Sequence, residues 1–342
     1  MRILLVTDAW APQINGVVVT LRNTIACLRR WGHEVVVLSP EGFRTFPMPT
    51  YPEIPLALLP GRRVTKIIKE VQPDAIHIAT EGPMGIAARS CCVKNGLAFT
   101  TAYHTCFPEY VQARFGISLG WTYAWLRRFH KPSSAILVAT PAIHELLKGR
   151  GFSNIVEWGR GVDTDLFYPT QERFSDLPRP VFLYVGRVAV EKNLPAFLSM
   201  ELPGTKMVVG DGPQRRELQK RYPATVFTGA KSGAELASYY QRADVFVFPS
   251  RTDTFGLVLV EAMACGTPVA AFPVRGPIDV ANNPAAGVLD QNLGFAAMKA
   301  LSLDRTRVAE YGERFSWEYC TQQFLSSLVP TRSTQAVLTP DA

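Results

Sequence analysis

Two cations in the second half of the chain stand where they could hold a phosphorylated ligand. Arg187 follows the apolar run Val181–Val185 after one glycine, and Lys192 comes five positions later. A guanidinium presents a planar fork of donors and an ammonium a compact point charge, so the pair suits the oxygens of a diphosphate without a metal ion. Two solvated charges at a domain surface are the alternative interpretation.

Two carboxylates and a helix start follow the apolar run Asp244–Phe248. Asp253 falls in the next turn, and Glu261 stands eight positions later, about two helical turns along. A helix beginning near Gly256 would present backbone N–H groups to a phosphate or a sugar hydroxyl, and carboxylates accept hydrogen bonds from hydroxyls. Carboxylates at two depths suit a ligand with two polyol rings. A capping Asp and a solvated helix Glu are the structural alternative.

A loop after the first apolar run, residues 8–16, delivers the chain to a predicted helix start at Gly16. Backbone N–H groups at such a position favour an anion, and glycine permits close approach of a ligand. The G-x-G-x-x-G pattern of dinucleotide-binding folds is absent from the sequence, which counts against NAD. A structural turn is the alternative interpretation of Gly16.

Short apolar runs alternate with helix-period segments along most of the chain, as in parallel sheets with helices on both faces. We predict an α/β fold with two doubly wound domains facing a cleft, where ligands would bind at the carboxyl ends of the strands. The strands expected in the first half are Ile3–Thr7, Glu34–Leu38, Ala75–Ala79, Leu97–Thr101, Ala135–Val138 and Ile155–Glu157. Those expected in the second half are Val181–Val185, Lys206–Val209, Thr225–Phe227, Asp244–Phe248 and Val269–Phe272.

Length and composition agree with two domains. The chain has 342 residues, of which 47% are hydrophobic and 19% charged, and this excludes a disordered, collagenous or coiled-coil protein. The periodicity breaks in a segment with three prolines, which predicts a linker. The predicted organisation is an N-terminal domain over 1–165, the linker over 166–180, a C-terminal domain over 181–314, a helix over 315–329 that crosses back to the N-terminal domain, and a disordered tail over 330–342.

The sequence shows neither a targeting signal nor a cysteine motif for a metal. Only four apolar residues follow Arg2, too few for a signal peptide, and no run approaches the ~18 apolar residues of a membrane span. We therefore expect a cytoplasmic protein. Its six cysteines show no C-x-x-C or Cys/His spacing, and we expect them to be reduced and buried.

The net charge of +7 is unevenly placed. Residues 1–170 carry 18 Lys and Arg against 12 Asp and Glu, whereas residues 171–342 carry 18 against 17. Between Phe107 and Lys131, seven aromatic residues accompany a basic cluster, a combination that suits a lipid headgroup interface. The residues expected to contact an anionic membrane are Trp121, Trp125, Arg127, Arg128 and Lys131.

Such contacts would make the protein peripheral on the inner face of the cytoplasmic membrane. A core helix with a solvated basic end is the alternative interpretation of this segment. Nucleic acid is not an expected partner, because no recognised nucleic-acid motif accompanies the basic excess.

Six segments over both halves form an ordered set of motifs. They are PQINGVV (12–18), GRGVDTDLF (159–167), VGRVAVEKN (185–193), VVGDGP (208–213), ADVFVFPSRTDTFGLVLVEAMACGTPV (243–269) and FSW (315–317). With them the chain, up to about residue 328, resembles the retaining glycosyltransferases of family four. This resemblance implies the GT-B fold of two Rossmann-like domains, the C-terminal one binding a nucleotide sugar and the N-terminal one the acceptor.

The resemblance also implies roles for individual residues. Arg187 and Lys192 are similar to the clamp on the donor diphosphate, and Gly16 to the glycine loop that faces the leaving group. Asp253 and Glu261 match the family's E-x7-E element, with Asp in the first place. Asp253 would touch the transferred sugar, and Glu261 would bind the ribose hydroxyls. Further donor contacts would come from Gly210, Asp211 and Gly212, and from the N–H groups of Phe255, Gly256 and Leu257.

Two motifs of the first half, TEGPMG (80–85) and AYHTCFPEY (102–110), resemble a narrower subgroup. It includes bacterial GDP-mannose-dependent mannosyltransferases of lipids and the synthases of sulfoquinovosyl and glycosyl diacylglycerols. His104 matches a histidine that reaches into the sugar cleft in this subgroup, and Glu81 and Tyr103 are further candidates for that cleft. A structural role is the alternative for each.

We therefore expect retaining transfer of a hexose from a nucleotide sugar, as co-substrate, to a membrane lipid such as diacylglycerol or a glycolipid. No cofactor and no metal is expected. The D-x-D triplet at Asp163 and Asp165 is the metal motif of a different glycosyltransferase fold, and we interpret it as structural. UDP-glucose, UDP-glucuronate and GDP-mannose all remain open as donors. The alternatives are a nucleotide-sugar epimerase of the same fold using His104 and Glu81, transfer to a polysaccharide or soluble acceptor, and nucleotide binding without catalysis.

Overall fold

The computed structural model describes residues 1–13, 15–48 and 51–331. The chain divides into two compact units. The first combines Met1–Gly159 with the segment from Glu318 onward, and the second is Arg160–Trp317. Each unit is built on a parallel sheet with helices between its strands, which confirms the predicted pair of doubly wound α/β domains.

The first unit begins with a buried apolar strand and alternates strands with helices. Its strands are β1 (Arg2–Val6), β2 (Glu34–Leu38), β3 (Thr45–Met48), β4 (Tyr51–Ala57), β5 (Ala75–Ile78), β6 (Thr100–Tyr103), β7 (Ala135–Val138) and β8 (Ile155–Glu157). Its first helices are α1 (Gly16–Arg30), α2 (Gly61–Val71), α3 (Pro83–Lys94), α4 (Phe107–Phe115), α5 (Leu119–His130) and α6 (Pro141–Gly149). Among the described residues, the parallel order is β2-β1-β5-β6-β7-β8, and β3 pairs with β4 as an antiparallel hairpin.

The fourth strand of this sheet lies later than predicted. The apolar residues 97–99 suggested a strand over Leu97–Thr101, but β6 is Thr100–Tyr103. Its two threonines are fully buried and keep their hydroxyls hydrogen-bonded, Thr100 to His77 and Thr101 to His130, each over 2.9 Å. Buried polar side chains with partners are stable in a strand, and an apolar pattern cannot reveal them.

The second unit repeats the same construction. Its strands are β9 (Val181–Val185), β10 (Thr205–Val209), β11 (Val226–Gly229), β12 (Val245–Phe248), β13 (Val269–Ala271) and β14 (Gly287–Leu289). Its helices are α7 (Leu194–Leu198), α8 (Arg215–Arg221), α9 (Gly233–Arg242), α10 (Leu257–Ala264), α11 (Pro277–Val280), α12 (Leu293–Ala300) and α13 (Arg305–Gly312), and α14 (Trp317–Ser327) ends the described helices. In this part of the chain the strands are ordered β11-β10-β9-β12-β13-β14, so β9 and β12 are central neighbours.

The segment 166–180 belongs to the second unit, and the prediction of a linker there is wrong. Phe167 and Phe174 are buried, with the Phe167 ring 5.9 Å from that of Tyr240. The division between the units falls after Gly159, not after Asp165, because these aromatic side chains find their core in the second unit. Of the predicted disordered tail, residues 332–342 lie outside the described residues.

The last helix packs on the first unit. In α14 the Phe324 ring lies 5.0 Å from that of Trp158, and Glu318 pairs with Arg30 over 2.6 Å. The Gln323 side chain accepts a hydrogen bond from the backbone of Gly159 over 2.9 Å. The chain therefore returns to the first unit after building the second, as predicted for the C-terminal helix.

One arginine ties the ends of α9 and α10 together. The Arg305 guanidinium donates to the carbonyls of Gln241, Ala243 and Cys265 over 2.9, 2.7 and 3.4 Å, and to the Thr267 hydroxyl over 3.1 Å. The last carbonyls of a helix have no partner within that helix. Burial lowers the pKa of Arg305 to about 10, which leaves the guanidinium charged at neutral pH.

Replacing Arg305 by methionine should lower the free energy of unfolding by about 2–4 kcal/mol, because several buried carbonyls lose their donor. Chemical denaturation followed by circular dichroism measures this change. The matched control is Arg307→Met on the exposed side of the same helix, which should change stability by less than about 0.5 kcal/mol. Equal losses in the two variants would show that Arg305 is not a buried anchor.

Candidate functional site

The loops that leave β9 and β12 lie side by side, because these parallel strands are paired and both end at the same edge of the sheet. Arg187 lies in the loop after β9, and Asp253 lies in the loop after β12. Between β9 and α7 runs a short 3-10 turn, Val190–Lys192. The Asn193 side-chain amide ties this turn to the second loop by donating to the Pro249 carbonyl over 3.1 Å.

Lys192 and Asp253 form a direct ion pair. Both side chains are largely buried, with 20% and 14% of their surface exposed. Burial opposes the charged form of Lys192, but the pairing with Asp253, together with the nearby Tyr184 and Glu191, outweighs it, so the pKa of Lys192 is raised. The Oδ2 atom of Asp253 is buried and has no hydrogen-bond partner among the described residues. The predicted diphosphate cation and the predicted sugar contact thus touch each other, which spacing alone did not reveal.

The glycine turn after β10 supports the Arg187 loop. A Cβ atom at Gly210 would lie 1.9 Å from the Gly186 carbonyl oxygen, and one at Gly212 would lie 2.4 Å from that of Val188. The Val188 N–H donates to the Asp211 carbonyl over 2.9 Å. These positions require glycine because two backbones meet there.

The Asp211 side chain is held by neighbours in its own turn and at the start of α8. Its carboxylate accepts from the backbone N–H of Gly212 and from Arg215, each over 2.8 Å. A pocket of about 540 Å³ lies beside it, and Arg216 and Gln219 are also in its lining. This part of the predicted nucleotide pocket is therefore open and polar.

Glu261 projects from α10 toward α9. Its Oε2 accepts a hydrogen bond from the Tyr240 hydroxyl over 2.8 Å. Burial raises the pKa of Glu261 to about 7, against the hydrogen bond from Tyr240, which lowers it. The carboxyl is therefore close to half ionised at neutral pH.

The α10 helix begins at Leu257, directly after Gly256, as the sequence predicts. Gly256 has φ +85°, in the left-handed region that favours glycine. Phe255 is buried, with its ring 6.1 Å from that of Phe315. The predicted N–H contacts of residues 255–257 are thus at a helix start, and their role toward a sugar stays a prediction.

In the first unit, a buried carboxylate organises the TEGPMG motif. Asp8, which follows β1, accepts hydrogen bonds from the Thr80 hydroxyl and from the backbone N–H groups of Met84 and Gly85 over 2.8, 2.9 and 3.3 Å. It thereby caps α3. A Cβ atom at Gly82 would lie 2.4 Å from the carboxyl carbon of Asp8. Sequence reasoning missed Asp8, although an Asp at the end of a buried strand is a recognisable signal.

Glu81 and His104 both lie just beyond strand ends of the first sheet, as predicted. Glu81 Oε1 is 3.3 Å from Nε2 of the buried His130 at the end of α5. The His104 ring packs edge-on against Trp158, with 5.5 Å between centroids. Both side chains are partly exposed, and their roles toward an acceptor or a sugar stay predictions.

Tyr103 does not fit the predicted sugar cleft. Its side chain is fully buried in the core cluster with Tyr123 and Leu126, and burial raises its pKa well above the usual range. Because its side chain packs against α5, Tyr103 is a core residue. Glu109 of the same motif accepts from the Tyr123 hydroxyl over 2.8 Å and so holds α4 to α5.

Gly16 is the first residue of α1, as predicted. The N-cap is Asn15, whose side-chain oxygen accepts from the backbone N–H groups of Val17 and Val18 over 3.1 and 3.0 Å. The cap thus engages two N–H groups of the predicted anion site. The contact of Gly16 with a leaving group stays a prediction.

The D-x-D triplet forms a local turn. Asp163 accepts from the Asp165 backbone N–H over 3.1 Å, and both residues are exposed. Across residues 1–13, 15–48 and 51–331, no three His, Cys, Asp or Glu side chains form a metal-binding group. The six cysteines are buried, and no disulfide joins them in the described part of the chain.

The aromatic basic segment is exposed on α5. Trp121 and Trp125 have 79% and 42% of their surface exposed, and Arg127, Arg128 and Lys131 are exposed beside them. None of the helices in the described residues is both long and apolar enough to span a bilayer.

Comparison with known proteins gives the fold its class. The solved structure of sucrose-phosphate synthase from Thermosynechococcus elongatus matches with a TM-score of 0.74 over 95% of this chain and 97% of that one, at 20% identity. The architecture is the GT-B fold of glycosyltransferases, as predicted from the motifs.

Sequence comparison then identifies the family. Residues 14–166 match the model of Glycosyltransferase Family 4, and residues 179–299 match that of Glycosyl transferases group 1. A GDP-mannose-dependent alpha-mannosyltransferase of Mycobacterium tuberculosis is 31% identical over 84% of this chain and 83% of its own length. The chain belongs to the family-four glycosyltransferases.

Two further relatives confirm the narrower resemblance. The sulfoquinovosyl transferase SQD2 of Arabidopsis thaliana is 33% identical over 78% of this chain and 58% of that protein. An alpha-monoglucosyldiacylglycerol synthase of Streptococcus pneumoniae is 26% identical over 79% of this chain and 71% of its own length.

The raised pKa of Glu261 predicts a pH-dependent stability. The folded protein binds this proton more tightly than the unfolded chain, so the free energy of unfolding should fall as the pH rises from about 4.5 to above 7. Glu261→Gln removes this loss and should be about 2–3 kcal/mol more stable than wild type at pH 8, with little difference at pH 5. Urea denaturation at both pH values measures it. Glu310→Gln, at an exposed position of α13, is the control, and a gain of equal size at both pH values would contradict the assignment.

Proposed function

We propose that this glycosyltransferase moves a hexose from a nucleotide-sugar donor to a hydroxyl of a membrane lipid, with retention of anomeric configuration. The observation that carries the proposal is the ion pair of Lys192 with Asp253, which joins the loops after the paired strands β9 and β12 at the carboxyl edge of the second sheet. Arg187 lies in the first of these loops. Ligands of open α/β sheets bind at this edge. Glu261, on the helix that follows the Asp253 loop, supports it as a carboxylate able to accept hydrogen bonds from the ribose hydroxyls.

The cations would stabilise the departing diphosphate. As the bond between the anomeric carbon and the diphosphate oxygen breaks, negative charge grows on that oxygen, and Arg187 and Lys192 would bind it. The Lys192–Asp253 pair keeps the ammonium charged in a largely buried place before the donor arrives. No divalent ion is then required for charge neutralisation.

Retention would follow from attack on the face that the diphosphate leaves. The acceptor oxygen forms its bond to the anomeric carbon on that face, and its proton passes to an oxygen of the leaving diphosphate. Asp253 is the carboxylate that we assign to the transferred sugar, and Lys192 already engages its Oδ1 atom. A same-face displacement therefore needs no covalent sugar intermediate on the protein.

The donor stays within a small set. UDP-glucose, UDP-glucuronate and GDP-mannose each carry the diphosphate that the two cations would hold. The name of the mycobacterial relative specifies GDP-mannose, so GDP-mannose is the first donor to test.

A lipid acceptor is favoured by the exposed surface of the first unit. On α5, Trp121 and Trp125 project beside three exposed cations. The loop before α2 exposes 53% of Leu58 and 88% of Leu59, and the helix that follows carries basic side chains. Exposed apolar and basic residues together match an anionic lipid surface.

These helices lie side by side on the first unit. Helix α3 packs against α2, and its Arg89 side chain donates to the carbonyls of Arg128 and Phe129 on α5, each over 2.7 Å. The exposed basic residues of α2 are Arg62, Arg63, Lys66 and Lys69. A membrane would thus contact a row of helices, and the name of the pneumococcal relative, an alpha-monoglucosyldiacylglycerol synthase, favours a lipid acceptor.

The transfer reaction can be tested with radiolabelled UDP-glucose, UDP-glucuronate and GDP-mannose, each mixed with a membrane lipid extract in EDTA. Wild-type protein should form a labelled glycolipid with one donor. Lys192→Met should reduce the rate by roughly 10²–10³-fold, because the leaving diphosphate loses a charge partner. Lys220→Met, at an exposed position of α8, is the matched control.

Each other outcome contradicts one part of this proposal. Full activity of Lys192→Met would overturn the diphosphate assignment. An isomerised donor would identify an epimerase, a labelled soluble glycan would exclude the lipid acceptor, and rescue only by a divalent ion would exclude metal independence.

Membrane contact predicts salt-sensitive binding to vesicles with anionic lipid. Trp121→Ser should weaken flotation with such vesicles roughly tenfold, and Arg128→Glu roughly five- to tenfold. Wild-type binding should fall as the salt concentration rises, with nucleotide binding unchanged. Trp31→Ser, at the exposed end of α1 with 39% of Trp31 exposed, is the control. If neither α5 variant changes the affinity for vesicles, the proposed membrane contact of α5 is wrong.

A further inference from the structure

A buried tyrosine contacts the carboxylate that we assign to the nucleotide ribose. Tyr240 has no exposed surface, yet its hydroxyl lies 2.8 Å from Glu261 Oε2 and donates to it. The two residues come from different helices, α9 and α10. Neither motif spacing nor hydropathy connects them.

The position of the Tyr240 hydroxyl is determined by packing on several sides. Its ring lies 5.9 Å from that of Phe167 and 5.7 Å from that of Phe246. Its backbone carbonyl accepts from the Thr267 hydroxyl over 2.6 Å, and Arg305 donates to the same Thr267 oxygen over 3.1 Å. A side chain held in this way can direct a neighbouring group without moving itself.

The hydrogen bond leaves Glu261 able to bind a diol. A carboxylate has about four acceptor sites on two oxygens, and Tyr240 uses one of them on Oε2. Oε1 and the second site of Oε2 can accept from two neighbouring hydroxyls. Since the hydroxyl donates to the ionised carboxylate, it also favours that form against the effect of burial.

Several other groups share this environment and must be considered in any titration. Cys265 lies one turn along α10, and burial raises its pKa. Tyr184 of β9 interacts electrostatically with Tyr240, and Arg305 of α13 with Cys265. The helices packed against α10 carry further ionisable residues, which are Glu235, Tyr239 and Arg242 on α9, Asp279 on α11, and Arg307, Glu310 and Tyr311 on α13. Only the Tyr240 hydroxyl among the described residues is recorded in a hydrogen bond to the Glu261 carboxylate.

We propose that Tyr240 is a positioning residue of the donor site, whose hydroxyl orients the Glu261 carboxylate for the two ribose hydroxyls of the nucleotide. The inference rests on the proposed function, since it takes Glu261 as the ribose ligand. It adds a residue from the core of the second unit to the determinants of donor affinity.

The test compares Tyr240→Phe with Tyr239→Phe, a neighbour on the same helix whose ring packs on Phe174 at 6.1 Å. KM for the donor and kcat are measured from pH 5.5 to 9. Tyr240→Phe should raise the donor KM roughly tenfold at neutral pH with kcat nearly unchanged, and should move the midpoint of the KM profile up by about one to two pH units. Tyr239→Phe should change neither.

Glu261→Gln separates the two levels of the argument. It should raise the donor KM and remove the pH step near 7, and adding Tyr240→Phe to it should have no further effect on KM. An unchanged KM in Glu261→Gln would overturn the ribose assignment and the positioning role with it. Normal pH dependence and KM in Tyr240→Phe, with Glu261→Gln impaired, would overturn the positioning role alone.

Site-specific 3-fluorotyrosine at position 240 keeps the inference testable if Tyr240→Phe does not fold. This analogue retains the ring and is a stronger hydrogen-bond donor, so it should move the KM midpoint to lower pH. An unmoved midpoint in the folded analogue would contradict the inference.

Discussion

Compensation of buried charge is the constraint on which both halves of this protein depend. A parallel sheet covered by helices is apolar. Charges that are buried at its carboxyl edge lose their bound water, so another polar or charged group must take the place of that water. Lys192 forms an ion pair with Asp253. Glu261 accepts a hydrogen bond from the Tyr240 hydroxyl, and Asp8 accepts hydrogen bonds from N–H groups in the first turn of α3. Each pair joins two segments distant in sequence, so the charges needed for chemistry also hold their loops in place.

The same carboxyl edge demands close contact between backbones. Gly210 allows its turn to lie against the carbonyl of Gly186, and Gly85 allows α3 to begin against the carbonyl of Thr80, where a Cβ atom would be 1.8 Å away. Both glycines belong to family motifs, and the close approach of two backbones is enough to require glycine there. Neither glycine has to contact a ligand. Motif residues therefore divide into those that could meet substrate and those that bring the loops close enough for others to do so.

The two units distribute their charge for different purposes. The second unit is nearly neutral overall and places single cations where specific partners hold them. The first unit carries the excess as exposed side chains on α2 and α5, next to exposed Leu and Trp residues. Paired and buried cations suit one small anionic ligand, whereas exposed cations suit an extended surface whose attraction salt can screen.

Sequence patterns were sufficient to predict the fold class, most strand positions, the loops that carry Arg187, Lys192 and Asp253, and the helix that carries Glu261. Alternating apolar periods and turn residues are local signals, and they are strong in buried parallel strands. Tertiary structure decided which residues pair. It assigned Tyr103 to the core, placed residues 166–180 in the second unit, and joined Lys192 to Asp253 and Tyr240 to Glu261. Those outcomes depend on strand order and on side chains from distant segments meeting in three dimensions, for which a linear pattern carries no signal.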